Sequence, residues 1–118
     1  MEADDSSPDG LDMEARFSRK HLDSRELGVS YFRYGPNVKP PYGHRHGSQE
    51  EAYVVVSGSG RLKLDDDVID LKPLDAVRIH RETMRNIEGG PDGAELIAFG
   101  APNTGPGDGP MTQGWWMD

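Results

Sequence analysis

From residue 27 onward the chain alternates short apolar runs with turn residues. Leu27 to Tyr34 reads as a strand ended by Gly35-Pro36-Asn37, and Ala52 to Ser57 (AYVVVS) as a β-branched strand closed by Gly58-Ser59-Gly60. Arg61 to Leu64 and Val68 to Leu71 flank the acidic turn Asp65-Asp66-Asp67. A turn at Lys72-Pro73-Leu74-Asp75 leads into Ala76 to His80, and Met84 to Glu88 and Ala94 to Phe99 follow, separated by Gly89-Gly90-Pro91-Asp92-Gly93. Short strands with close turns and no long helical period predict an all-β sandwich or barrel.

The flanks differ. Residues 1–14 are acidic and turn-rich and read as a disordered tail, and 15–101 hold the strands of one domain. Residues 102–118 read as an irregular Gly/Pro-rich tail. It ends in Trp115-Trp116, which are expected to pack back onto the domain or a subunit partner.

Composition narrows the function classes. The net charge of −8, with Lys and Arg scattered, argues against nucleic acid or an anionic membrane as partner. The chain has no cysteine, which removes disulfides, thiolate metal sites and cysteine nucleophiles. No apolar stretch approaches the roughly 20 residues that span a bilayer. The start, MEADDSSPDG, does not read as a signal peptide. The expectation is a soluble, cytoplasmic, acidic protein.

The candidate chemistry lies in Gly43-His44-Arg45-His46-Gly47-Ser48-Gln49-Glu50-Glu51. On an extended strand, residues two apart share a face, so His44 and His46 can offer two imidazoles to one ion while Arg45 points away. A carboxylate on the next strand completes a three-ligand face suited to iron(II), manganese, nickel or zinc. Surface loops also produce His-x-His by chance.

The longer pattern His44-x-His46, four residues, Glu51, six residues, Gly58 resembles the first motif of the cupin superfamily. That resemblance implies a small antiparallel jelly-roll (double-stranded β-helix) barrel, with a metal held by His44, His46 and Glu51. It selects Glu51 over Glu50, and strand parity agrees, since Glu51, Tyr53 and Val55 share a face. It also implies a glycine closing the turn to the next strand, and a homodimer.

A second cupin motif should bring a fourth ligand, a histidine. Residues 71–88 resemble its setting, but Leu74 replaces the usual turn glycine and Arg85 stands in the histidine's place. Guanidinium stays protonated and has no lone pair to give a metal. Three resolutions stay open. The triad binds metal with Arg85 aside or over the open positions, where it orients an anionic substrate; or no metal binds and Arg85 pairs with Glu51 or Glu50; or His80 supplies the fourth ligand.

Other residues receive plainer readings. Leu62 and Leu64 face the core, and Arg61 and Lys63 face solvent. Tyr53 is a core aromatic or, equally, a pocket wall and proton donor. His21 has no partner at ligand spacing, and Asp65 to Asp67 form a solvated hairpin tip. Two function classes follow: a metal-dependent enzyme on a small anionic molecule (oxygenase, or else isomerase, cyclase or lyase), or a metal-free binder of such a molecule through Arg85.

Overall fold

A computed structural model describes residues 2–46, 49–101 and 111–116. They form nine strands and no helix: β1 (Asp4–Asp5), β2 (Met13–Phe17), β3 (Gly28–Tyr34), β4 (Tyr42–His44), β5 (Glu51–Leu64), β6 (Asp67–Leu71), β7 (Ala76–Ile79), β8 (Arg85–Gly100) and β9 (Met111–Gln113). Every pairing is antiparallel. Among the described residues no helix is long and apolar enough to cross a membrane.

Two long strands organise the rest. β5 pairs with β8 from Glu51↔Gly100 to Leu64↔Arg85, with irregularities at Val55/Ser57 and Gly58/Gly60. On one side of these bends β1, β2 and β3 extend from the C-terminal half of β8, and β7 borders the first half of β5. On the other side β6 borders the second half of β5, and β4 and β9 extend from Arg85. The result is a curled antiparallel sheet, a half-barrel of jelly-roll type. Val55, Leu62, Ile79, Ile87 and Leu96 are its most buried apolar side chains.

The glycine clusters read as turns are instead bends. Gly58 pairs with Ala94 and Gly60 with Gly89, so both strands run through their glycines unbroken. Gly58 has a φ of 75°, and a Cβ there would collide with the carbonyl of Gly93. Glycine is needed because two backbones approach at a corner, and the expectation of a turn at Gly58 is corrected accordingly.

The N-terminal segment also differs from expectation. β1 lies within the residues read as a disordered tail, and β2 pairs with β3 from Met13↔Tyr34 to Phe17↔Ser30. The cause is the period-two alternation Met13-Glu14-Ala15-Arg16-Phe17, which buries Met13 and Ala15 beneath an acidic exterior. In the C-terminal segment β9 pairs with β4, and Trp116 is only 5% exposed, with Lys39 Nζ 4.6 Å from its ring centre. Residues 102–110 of the expected irregular tail lie outside the described residues.

Leu74 occupies a turn that asks for glycine. Asp75 N–H donates to the Lys72 carbonyl at 3.0 Å, Pro73 is the second residue, and Leu74 has a φ of 71° with 82% exposure. A left-handed residue with a Cβ costs about 1–2 kcal/mol, against roughly 0.5–1 kcal/mol for glycine's greater entropy. Leu74→Gly is therefore expected to stabilise the fold by about 0.5–1 kcal/mol, read as a higher midpoint in thermal unfolding. An unchanged or lower midpoint would show that the turn carries no such strain.

Candidate metal site and its cavity

His44 is the last residue of β4, which is clamped between β8 (His44↔Arg85) and β9 (His44↔Met111). On the β9 side the missing Cβ of Gly43 makes room for the Trp115 ring, and Lys63 Nζ lies 4.8 Å from that ring's centre. His46 follows the strand, its backbone N–H donating to the Arg81 carbonyl at 2.7 Å. Arg45 is exposed between them, as alternation requires. Glu51 opens β5, paired to both Ile79 and Gly100.

These elements bring one donor atom each from His44, His46 and Glu51 within 4.8 Å of one another. The two imidazoles meet edge to face at 5.3 Å, and His46 Nε2 lies 3.2 Å from Glu51 Oε1. Glu50, by contrast, reaches outward and pairs with exposed Arg78 at 2.8 Å. The strand turns one carboxylate inward and its neighbour to solvent.

Arg85 is fully buried, facing inward like Ile87 two residues along β8. Its Nη2 donates to the His80 carbonyl at 2.7 Å and its Nη1 to Glu51 Oε1 at 3.3 Å. Its Nε is buried with no hydrogen-bond partner among the described residues. The arginine thus stands on the carboxylate beside the two histidines. His80, considered as a fourth ligand, is exposed and outside the cluster, and its Nδ1 accepts the Glu82 N–H at 3.2 Å.

The electrostatics prepare the donors. Burial, helped by the Arg85 cation, lowers the His44 pKa to about 4, so its ring is neutral at pH 7 with a lone pair to give. Burial pushes the Glu51 carboxyl up, but the hydrogen bond from His46 and the cation of Arg85 outweigh it. The net pKa lies below the usual value, and Glu51 is a carboxylate. A neutral imidazole beside an ionised carboxylate suits a divalent ion of the iron, manganese, nickel or zinc type. The donor chemistry fits a metal.

The His44 shift carries a stability consequence. Between pH 6.5 and about 4 the unfolded chain binds a proton there that the folded chain refuses, so stability falls as pH falls through that window. Metal-free protein is expected to lose on the order of 3 kcal/mol between pH 7.5 and pH 4 through this group. Urea unfolding in the presence of chelator checks it. A His44→Asn variant with the same pH dependence would contradict it.

The cluster lines a cavity of about 560 Å³. Tyr53 lines it as a buried wall, and burial holds its hydroxyl protonated, with the Glu51 charge adding to the effect. Three other walls, Phe17, Phe32 and Tyr34, were not expected from the sequence. The alternation in β2 and β3 was the signal that could have found them. Leu62 is buried, while Arg61 is exposed and bonded to Glu88 at 2.7 Å, as amphipathicity requires. Asp65 ties the β5–β6 turn to the start of β8 by accepting the Met84 N–H, and His21 bonds Asp4 and is not part of the cluster.

No protein-family model matches this sequence, and no curated protein matches it by sequence. Solved structures do. Streptomyces PAC13, in a variant with uridine, superposes with a TM-score of 0.78 at 15% identity, covering 95% of this chain and 86% of that one. A cupin protein from Bacteroides fragilis gives 0.67 at 22% identity, covering 90% and 88%. A variant of Bacillus subtilis oxalate decarboxylase gives 0.77 at 18% identity over 95% of this chain, which spans only 30% of that protein. The chain has a small cupin fold.

Proposed function

We propose that this protein holds a divalent metal ion through His44, His46 and Glu51 and acts on a small anionic molecule in the adjoining cavity. The observation that carries this reading is the convergence of three donors within 4.8 Å in the lining of that cavity. When bound, the ion supplies Lewis-acid or redox chemistry, with an oxygenase ahead of an isomerase, cyclase or lyase.

The chain's own residues set the ligand class. A dication with the Glu51 carboxylate and the Arg85 guanidinium leaves a buried excess of positive charge, which an anion offsets. Arg85 Nε offers a buried N–H without an acceptor, a group that costs about 1–3 kcal/mol if left so. A ligand carboxylate or enolate oxygen satisfies it once the guanidinium, which has no exposed surface, turns toward the cavity. The Tyr53 hydroxyl, held protonated, is the available proton donor. Similarity to structures described with uridine or as oxalate decarboxylase is consistent with a small-molecule site.

A second reading is a metal-free binder of a small anion. The Arg85–Glu51 contact favours it, because the guanidinium already balances the carboxylate. Oxygen consumption by iron(II)-loaded protein offered small carboxylates and phenols tests the first reading. Turnover that vanishes in His46→Ala supports it, and anion binding with no metal uptake supports the second.

The reading places the protein in the cytoplasm as a homodimer. The outward face of the β3–β8–β5 part of the sheet supports the dimer, since Tyr31, Val54, Val56, Ile97 and Phe99 share it and Val56 and Phe99 are exposed. Light scattering showing a monomer at micromolar concentration would remove the dimer.

A further inference from the structure

The ligating residues His44, His46 and Glu51 and the cation Arg85 cluster together in the cavity lining. The inward faces of β2 and β3 supply the cavity's aromatic wall, where the register sets Ala15 opposite Phe32 and Met13 opposite Tyr34, while Ser30, Gln49 and Asn86 add polar groups elsewhere in the lining. The Phe32 and Tyr34 rings lie nearly parallel, 21° apart with centres at 6.4 Å, and Phe17 meets Phe32 edge-on at 5.7 Å. Phe17 stays 41% exposed although it lines the cavity, so an apolar ring is left against solvent at the opening. Arg19, also in the lining, already spends its guanidinium on the carbonyls of Glu26 and Ala101.

The patch formed by Met13, Phe17 and Phe32 has little to offer a hydroxyl-rich ligand. Each ligand hydroxyl moved from water to face Phe17, Phe32 or Met13 loses hydrogen bonds that those side chains cannot replace. A flat apolar ring gains from the same transfer, by area and by edge or offset contact with the aromatic rings. Resting on the anion-binding reading above, we propose that the ligand is a ring-bearing monoanion. Its carboxylate faces the His44–Glu51–Arg85 cluster and its ring lies along Phe17, Phe32 and Tyr34. Small aliphatic acids and sugar acids are disfavoured.

Calorimetric titration of 2-naphthoate, gluconate and acetate tests this, on zinc-incubated protein and on chelator-treated protein. Naphthoate and gluconate have matched heavy-atom counts and one carboxylate each, so they differ in body chemistry alone. The expected result is naphthoate binding at least tenfold tighter than gluconate and acetate. Phe17→Ala weakens naphthoate by about tenfold and leaves acetate unchanged. Phe32→Leu, which keeps apolar volume in the wall, gives a smaller loss of the same kind. Gluconate or acetate binding as tightly as naphthoate overturns the inference, as does a Phe17→Ala variant with unchanged naphthoate affinity. Zinc uptake is read separately, by titrating zinc into the chelator-treated protein. If zinc binds and naphthoate shows no preference, the ring assignment fails and the metal reading stands. If zinc does not bind but naphthoate is preferred, the reverse holds.

Discussion

Glu51→Ala is expected to destabilise the metal-free protein by about 3–5 kcal/mol, the usual cost of removing one partner from a buried charge pair. Arg85 has no exposed surface, and of its guanidinium contacts only Glu51 carries a balancing charge. Without that carboxylate the cation is left facing two imidazoles and a backbone carbonyl. Glu50→Ala is the control, because its partner Arg78 is exposed and surface pairs contribute about 0–1 kcal/mol. Urea unfolding of the two variants in chelator measures the difference. Equal losses would mean that the inward carboxylate does not balance Arg85.

Arg85→His is expected to tighten zinc binding by about a hundredfold. Two effects act together: a third imidazole, and with it a fourth ligand, becomes available beside His44, and a fixed cation leaves the neighbourhood of the ion. A unit charge and a dication about 5 Å apart repel by on the order of 6 kcal/mol at an effective dielectric constant of ~20. Half of that relief is enough for the stated factor. Competition against a chromophoric chelator reads the change. An unchanged affinity would place the guanidinium outside the field of the ion and remove its proposed role in ligand charge balance.

The contrast between Glu51 and Glu50 is legible in the sequence, because spacing to Gly58 and strand parity agree on which carboxylate turns inward. The direction of Arg85 is not. Nothing in residues 80–85 says whether a guanidinium at that register faces a carboxylate, a carbonyl or solvent; the answer depends on β4 and β8 pairing at His44↔Arg85, a contact between distant segments. The glycine clusters mislead for a related reason. Gly58-Ser59-Gly60 and Gly89-Gly90 have turn composition, yet they lie opposite one another where two long strands bend together, which only the pairing reveals. In β2 the charged neighbours of Met13, Ala15 and Phe17 mask a clear alternation, and with it the cavity's aromatic wall.

Metal content of purified, untagged protein by elemental mass spectrometry tests the central claim most directly, with a His46→Ala/Glu51→Ala double variant prepared in parallel. The account predicts close to one equivalent of iron, manganese, nickel or zinc in the native protein, and loss of that metal in the variant. Native protein that takes up no ion, even after incubation with each in turn, would contradict it. The histidine pair would then be a relic of a metal site, with Arg85 as the charge that replaced the ion.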